Sequence, residues 1–134
     1  MKLKELYNQI KLKPILWKKR EWELLNDVQY TFKTFWKPFI IYIPKWFRFD
    51  WASCPRVFHI IWTPMWIDTL AGALFHDFLY RKQILSREYS DQCFNELMFE
   101  TNTKQIKRVL FYIWVRIWGW VAWKNNKKLY KIKK

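Results

Sequence analysis

Ala71-Gly72-Ala73-Leu74-Phe75-His76-Asp77-Phe78-Leu79-Tyr80-Arg81, taken with Ser86-Arg87-Glu88-Tyr89-Ser90-Asp91 after a short break, reads as two helices joined by a tight turn. Asp68 and Thr69 suit the start of the first, which runs to about Lys82. Ser86 suits the start of the second, which runs to about Thr101. With the turn near Ile84 and Leu85, His76 lies about eight residues before it and Asp91 about six after. At roughly 1.5 Å of rise per residue the two are then offset by only about 3 Å along antiparallel axes. The spacing therefore predicts that an imidazole and a carboxylate face each other, as a base and its orienting group would.

Upstream of this hairpin the pattern changes. Trp22 to Phe32, broken loosely around Asn26-Asp27, and Phe35 to Ile43, between Pro38 and Pro44, are rich in β-branched and aromatic residues and predict two strands, paired as a hairpin. Trp46 to Pro64 reads as an ordered loop with Asp50, Ser53 and Arg56 as its polar knot and Phe47, Phe49, Trp51 and Phe58 as apolar anchors. Downstream, Thr103 opens a third helix through Trp123. The expected fold is α+β: a hairpin and polar loop packed on about three helices.

The chain has 134 residues, 51% of them apolar and 22% aromatic, with a formal charge of +14. That composition excludes a disordered chain and fits one domain. Eleven Trp, seven Tyr and eleven Phe exceed the needs of one small core, so some rings should lie on a surface that meets a partner or lipid. The charge sits at the ends: +6 over residues 1–20, +6 over 124–134 and only +2 over 21–123. This divides the chain into a basic N-terminal arm (1–20), a body (21–123) and a lysine-rich tail (124–134). The arm is amphipathic, with a helical apolar stripe from Leu3 to Trp17 cut by Pro14. Such ends attract nucleic acid or an anionic membrane surface; the alternative is a solubilising role.

Two cysteines, Cys54 and Cys93, make no disulfide framework, and no apolar leader follows the first lysines, so no signal peptide is expected. Val109 to Trp123 holds fifteen residues with one charge, Arg116. A span needs about 20 apolar residues, so no transmembrane helix is expected. The stretch fits either a buried core helix or an interfacial one with Trp114, Trp118, Trp120 and Trp123 at the boundary. Gly72, four residues before His76, allows close approach of a neighbouring backbone.

Three separated motifs carry a resemblance. Phe49-Asp50-Trp51-Ala52-Ser53-Cys54-Pro55-Arg56, then Ala73 to Arg81 with its His-Asp-x-x-Tyr core, then Ser86 to Asp91 with Phe94 and Met98, resemble the phage-associated domain of unknown function numbered 1353. Ile43-Pro44-Lys45-Trp46-Phe47 supplies that family's turn, and Phe49 departs from its usual Thr. The resemblance covers roughly residues 21 to 120. It implies a bacteriophage or prophage origin, among genes for virion assembly, tails or lysis. The basic arms lie outside it; joined to them and to the aromatic excess, it leads to the expectation of a small virion component, in the tail or capsid, that docks on other virion proteins through those arms and a Trp-rich surface, in the virion or host cytoplasm. The resemblance implies no settled activity.

A second, local likeness gives the alternative: a phospholipase-like or envelope-directed hydrolase. His76-Asp77-Phe78-Leu79-Tyr80-Arg81 with Asp91 and Phe94 is similar to the paired helices of secreted phospholipase A-two enzymes. That likeness implies His76 as base, Asp91 as its orienter, Tyr80 as a hydrogen-bond partner of Asp91, and Asp77 as a calcium ligand. Asp50 and the backbone near Ser53 would have to replace the glycine-rich calcium loop, which is missing. The same residues also fit a purely structural or ligand-binding cluster, with Asp77 paired to Arg81 at i+4, Arg56 clamping Asp77 or Asp50, and His76 with Asp91 locking the hairpin.

Overall fold

A computed structural model describes residues 3–15, 21–33, 37–50, 67–101 and 105–133. Its elements in chain order are α1 (Leu3–Gln9), β1 (Leu12–Pro14), β2 (Glu21–Leu24), β3 (Val28–Phe32), β4 (Phe39–Ile43), β5 (Arg48–Asp50), α2 (Ile67–Lys82), α3 (Arg87–Glu100) and α4 (Gln105–Lys133). The fold is α+β, as expected: after the short α1, two small antiparallel sheets precede the three long helices α2, α3 and α4.

The strands differ from the expectation in how they pair. Trp22 to Phe32 is not one strand: β2 and β3 belong to separate sheets, and the chain turns between them at Leu25–Asp27. The cause is long-range. The Asp27 carboxylate accepts a 2.8 Å hydrogen bond from the Lys45 N–H, which fastens that turn to the next one. This bond, with the Tyr42 hydroxyl and the Lys45 charge, holds the Asp27 carboxyl below the usual range. β3 and β4 form the hairpin, in register Val28↔Ile43, Tyr30↔Ile41 and Phe32↔Phe39. Val28, Tyr30, Phe32, Ile41 and Ile43 face the core, while Ile40 and Tyr42 face outward. The outward residues of β4 are themselves apolar, so no alternation marks the strand in sequence.

β2 lies between β1 and β5, antiparallel to both. The start of the expected loop is therefore a strand, with Trp22 opposite Phe49 and Glu21 opposite Asp50. Residues 3–15 pack on the body instead of trailing from it as an arm: β1 pairs with β2, and Leu6 is fully buried. Trp46 takes a left-handed backbone (φ 78°) in the turn that leads into β5, and its N–H reaches the Leu24 carbonyl at 2.9 Å.

The core gathers both sheets against α2. Phe32 and Phe75 meet edge to face at 5.5 Å, and Phe47 meets Phe78 at 5.2 Å. α2 and α3 form the expected hairpin. Gln83, left-handed at φ 52°, ends α2 by donating its N–H to the Leu79 carbonyl at 2.8 Å. Ser86 caps α3, its hydroxyl accepting from the Tyr89 N–H at 3.2 Å. The Lys33 N–H donates to Glu96 at 2.9 Å, which pins the end of β3 to α3.

α4 continues ten residues beyond the expected end at Trp123, so the chain remains helical through most of its lysine-rich end. Phe111 and Val115 pack against Phe94 and Met98 in a second, smaller core. No helix among the described residues is long and apolar enough to cross a membrane.

Candidate functional site

α2, α3 and α4 converge on one carboxylate. Asp91, one turn into α3, is fully buried. A charge there would cost several kcal/mol if it were left without partners. Its Oδ1 accepts from the Tyr80 hydroxyl at 2.6 Å and lies 2.8 Å from His76 Nε2. Its Oδ2 accepts from the Arg116 guanidinium at 2.9 Å, and Arg87, one turn along α3, stands 3.7 Å away. Arg87 also donates to the carbonyls of Val115 and Arg116, each at 3.1 Å, and so ties α3 to the middle of α4.

These contacts settle the imidazole's orientation. A carboxylate facing two guanidinium groups accepts hydrogen bonds, so Nε2 is the nitrogen that donates to Asp91, and in the neutral ring the lone pair is on Nδ1. The ring lies between Tyr80, 4.1 Å between centroids, and Phe94, at 4.9 Å. Its side chain keeps 16% of its exposure. Burial, and next the hydrogen bond and charge of Asp91, push the Tyr80 phenol far above its usual value, so it stays a neutral donor. For Arg116, burial works against the charge, but the hydrogen bond to Asp91 and the charges of Asp91, Tyr112 and Glu88 outweigh it and raise its pKa.

Two glycines set how closely the helices approach. A Cβ on Gly119 of α4 would collide with the Tyr80 hydroxyl. One on Gly72 would lie 3.0 Å from Phe94 Cδ2. Gly72 thus admits an aromatic ring that also touches His76, in place of the close backbone expected there.

The residues singled out in the sequence separate into groups. His76, Tyr80 and Asp91 come together. Asp77 points elsewhere and pairs with Arg81 at 3.2 Å, one turn along α2. Asp50 lies at the end of β5, but its side chain is outside the described residues, as are Ser53 and Arg56. Among the described residues, no group of three His, Cys, Asp or Glu could hold a metal ion. Asp77 Oδ2 lies within ion-pair distance of Arg81 without a hydrogen bond to it, and one carboxylate does not by itself make a calcium site, which takes about six to eight oxygen ligands.

Arg87 and Arg116 were not foreseen as members of this cluster. The sequence did carry a signal: Arg116 is the one charge in fifteen residues of α4, and a lone charge on a packed helix needs a counter-charge.

No curated protein and no solved structure matches the chain. A family model described as "Protein of unknown function (DUF1353)" matches residues 22–115, a span that includes α2, α3 and the first part of α4. With that match over more than half its length, the chain belongs to the DUF1353 family.

Proposed function

We propose that this protein is a hydrolase of ester bonds, with phospholipid as its substrate class, in which His76 is the general base and Asp91 orients it. One observation carries the reading: Asp91 accepts from both His76 Nε2 and Tyr80, leaving Nδ1 of a part-exposed imidazole able to take a proton. In the reaction, Nδ1 removes a proton from water as the water oxygen attacks the ester carbonyl. The imidazolium formed is stabilised by the Asp91 carboxylate and returns the proton to the leaving alcohol as the ester C–O bond breaks. Tyr80 and the two arginines hold Asp91 still. The phospholipase likeness of His76-Asp77-Phe78-Leu79-Tyr80 supplies the substrate class.

The test is release of fatty acid from phospholipid vesicles by the purified chain and by a folded His76→Gln variant. Release by the parent and none by the variant supports the reading. A parent without activity overturns it and leaves the cluster as a pin between helices.

A second reading places the protein in a bacteriophage virion, docking on other virion proteins. The basic ends and the exposed apolar residues of α4 favour it. Mass spectrometry of purified particles tests it.

A further inference from the structure

α4 has two faces. Phe111, Val115 and Gly119, at successive turns, point into the protein against Phe94, Met98 and Tyr80. On the other side Ile106, Val109, Ile113, Ile117, Trp120 and Val121 are between 41% and 70% exposed. Their spacing follows one side of a helix for about 22 Å. A continuous apolar stripe of this length is not what a free surface in water presents.

The charge along the helix indicates what covers it. From Gln105 to Lys133 α4 has eight basic residues and no acidic one. Lys124 continues the stripe and sets its ammonium 4.9 Å above the Trp120 ring. In sequence the same spacing runs on to Lys127, Lys128 and Lys131. An apolar stripe that passes through a tryptophan into lysines matches hydrocarbon beside anionic headgroups. A second copy would bring two helices of like charge together, which is unfavourable. Nucleic acid would meet isoleucine where it needs donors.

We propose that this face of α4 lies in the plane of an anionic lipid bilayer, with Ile106 to Val121 entering the acyl boundary and the lysines resting on headgroups. The proposal stands on α4 alone and does not depend on the hydrolase reading. If both hold, the lipid face and His76 share one scaffold, because Tyr80 contacts Gly119 and bonds Asp91.

The test is co-sedimentation of the full chain with vesicles of ether-linked lipids, which have no ester to cleave, so the result is separate from any hydrolysis. Vesicles with roughly one-third phosphatidylglycerol should bind, and pure phosphatidylcholine vesicles should bind about tenfold less. Ile113→Glu with Ile117→Glu, two outward positions, should reduce binding about tenfold while the circular dichroism stays unchanged. High salt should weaken binding. No binding to the anionic vesicles, or equal binding by the double variant, would overturn the proposal. So would a dimer in sedimentation equilibrium that the double variant abolishes, because the face would then be a contact between copies. Should that double variant fail to fold, Ile106→Gln with Val109→Gln, nearer the helix start, gives the same two outcomes.

Discussion

The hydroxyl of Tyr80 fills the volume that a side chain on Gly119 would need. That hydroxyl is also the 2.6 Å donor to Asp91, so a residue of α4 determines whether a residue of α2 can reach a carboxylate on α3.

Gly119→Ala follows directly. In an open helix the change stabilises by about 1 kcal/mol. Here it should destabilise by about 1–3 kcal/mol, because Tyr80 is buried and its hydroxyl can move only by giving up Asp91. Urea midpoints will show the sign. In a Tyr80→Phe background, with the oxygen removed, the penalty should shrink or reverse.

Removing the charge at the centre should cost more. Asp91→Asn leaves Arg116 and Arg87 facing a neutral amide in a buried place, and a loss of about 3–5 kcal/mol is expected by chemical denaturation. Arg116→Met should cost less than this, since that guanidinium is 33% exposed and water already serves part of it.

Tyr80→Phe separates holding from chemistry. Losing one hydrogen bond should lower stability by about 1 kcal/mol. In the proposed hydrolase the same change should reduce turnover without abolishing it, whereas His76→Gln should abolish it at nearly unchanged stability. Parallel melts and lipid assays on the two variants will show whether the effects divide this way.

Alkaline pH should loosen the fold through two buried acids. Burial, followed by the charges of Glu96 and Glu100, pushes the Tyr30 phenol up to about 12. Burial, followed by the charge of Glu96, pushes the Cys93 thiol up to about 12. Unfolded, these groups ionise near 10 and 9. The folded state keeps both neutral, so their contribution is whole below about pH 9 and is lost as the pH rises towards about 12. At about 1.4 kcal/mol per pKa unit the loss across that window is on the order of 3 kcal/mol for Tyr30 and 4 kcal/mol for Cys93. Urea midpoints at about pH 8 and about pH 11 should differ accordingly, and Tyr30→Phe should flatten the upper part of the decline. Thiol reagents should reach Cys93 only after unfolding.

The helical hairpin was legible because its determinants are local. Ser86 caps its helix by itself, and the number of residues on each side of the turn brings His76 level with Asp91. Arg116 was less legible, because its partner lies 25 residues away and only folding brings the two together. The strand pairing was hidden for a similar reason. β2 pairs with β1 and β5 across chain distances that no periodicity records, and the break before β3 is fixed by the distant Lys45 N–H. The N-terminal segment misled through its charge: its lysines suggest a free arm, yet Leu6 is buried whole. The calcium expectation rested on Asp77, Asp50 and Ser53, and of these only the Asp77 side chain is described, beside Arg81.

Leu6 and β1 bear on where the folding unit ends. A polypeptide trimmed to the span matched by the family, 22–115, would leave β2 with one bare edge, open a hole where Leu6 sits, and discard the guanidinium of Arg116 one residue past the cut. Evolutionary bookkeeping and mechanical integrity thus draw different borders here, and the shorter piece should be the one that aggregates.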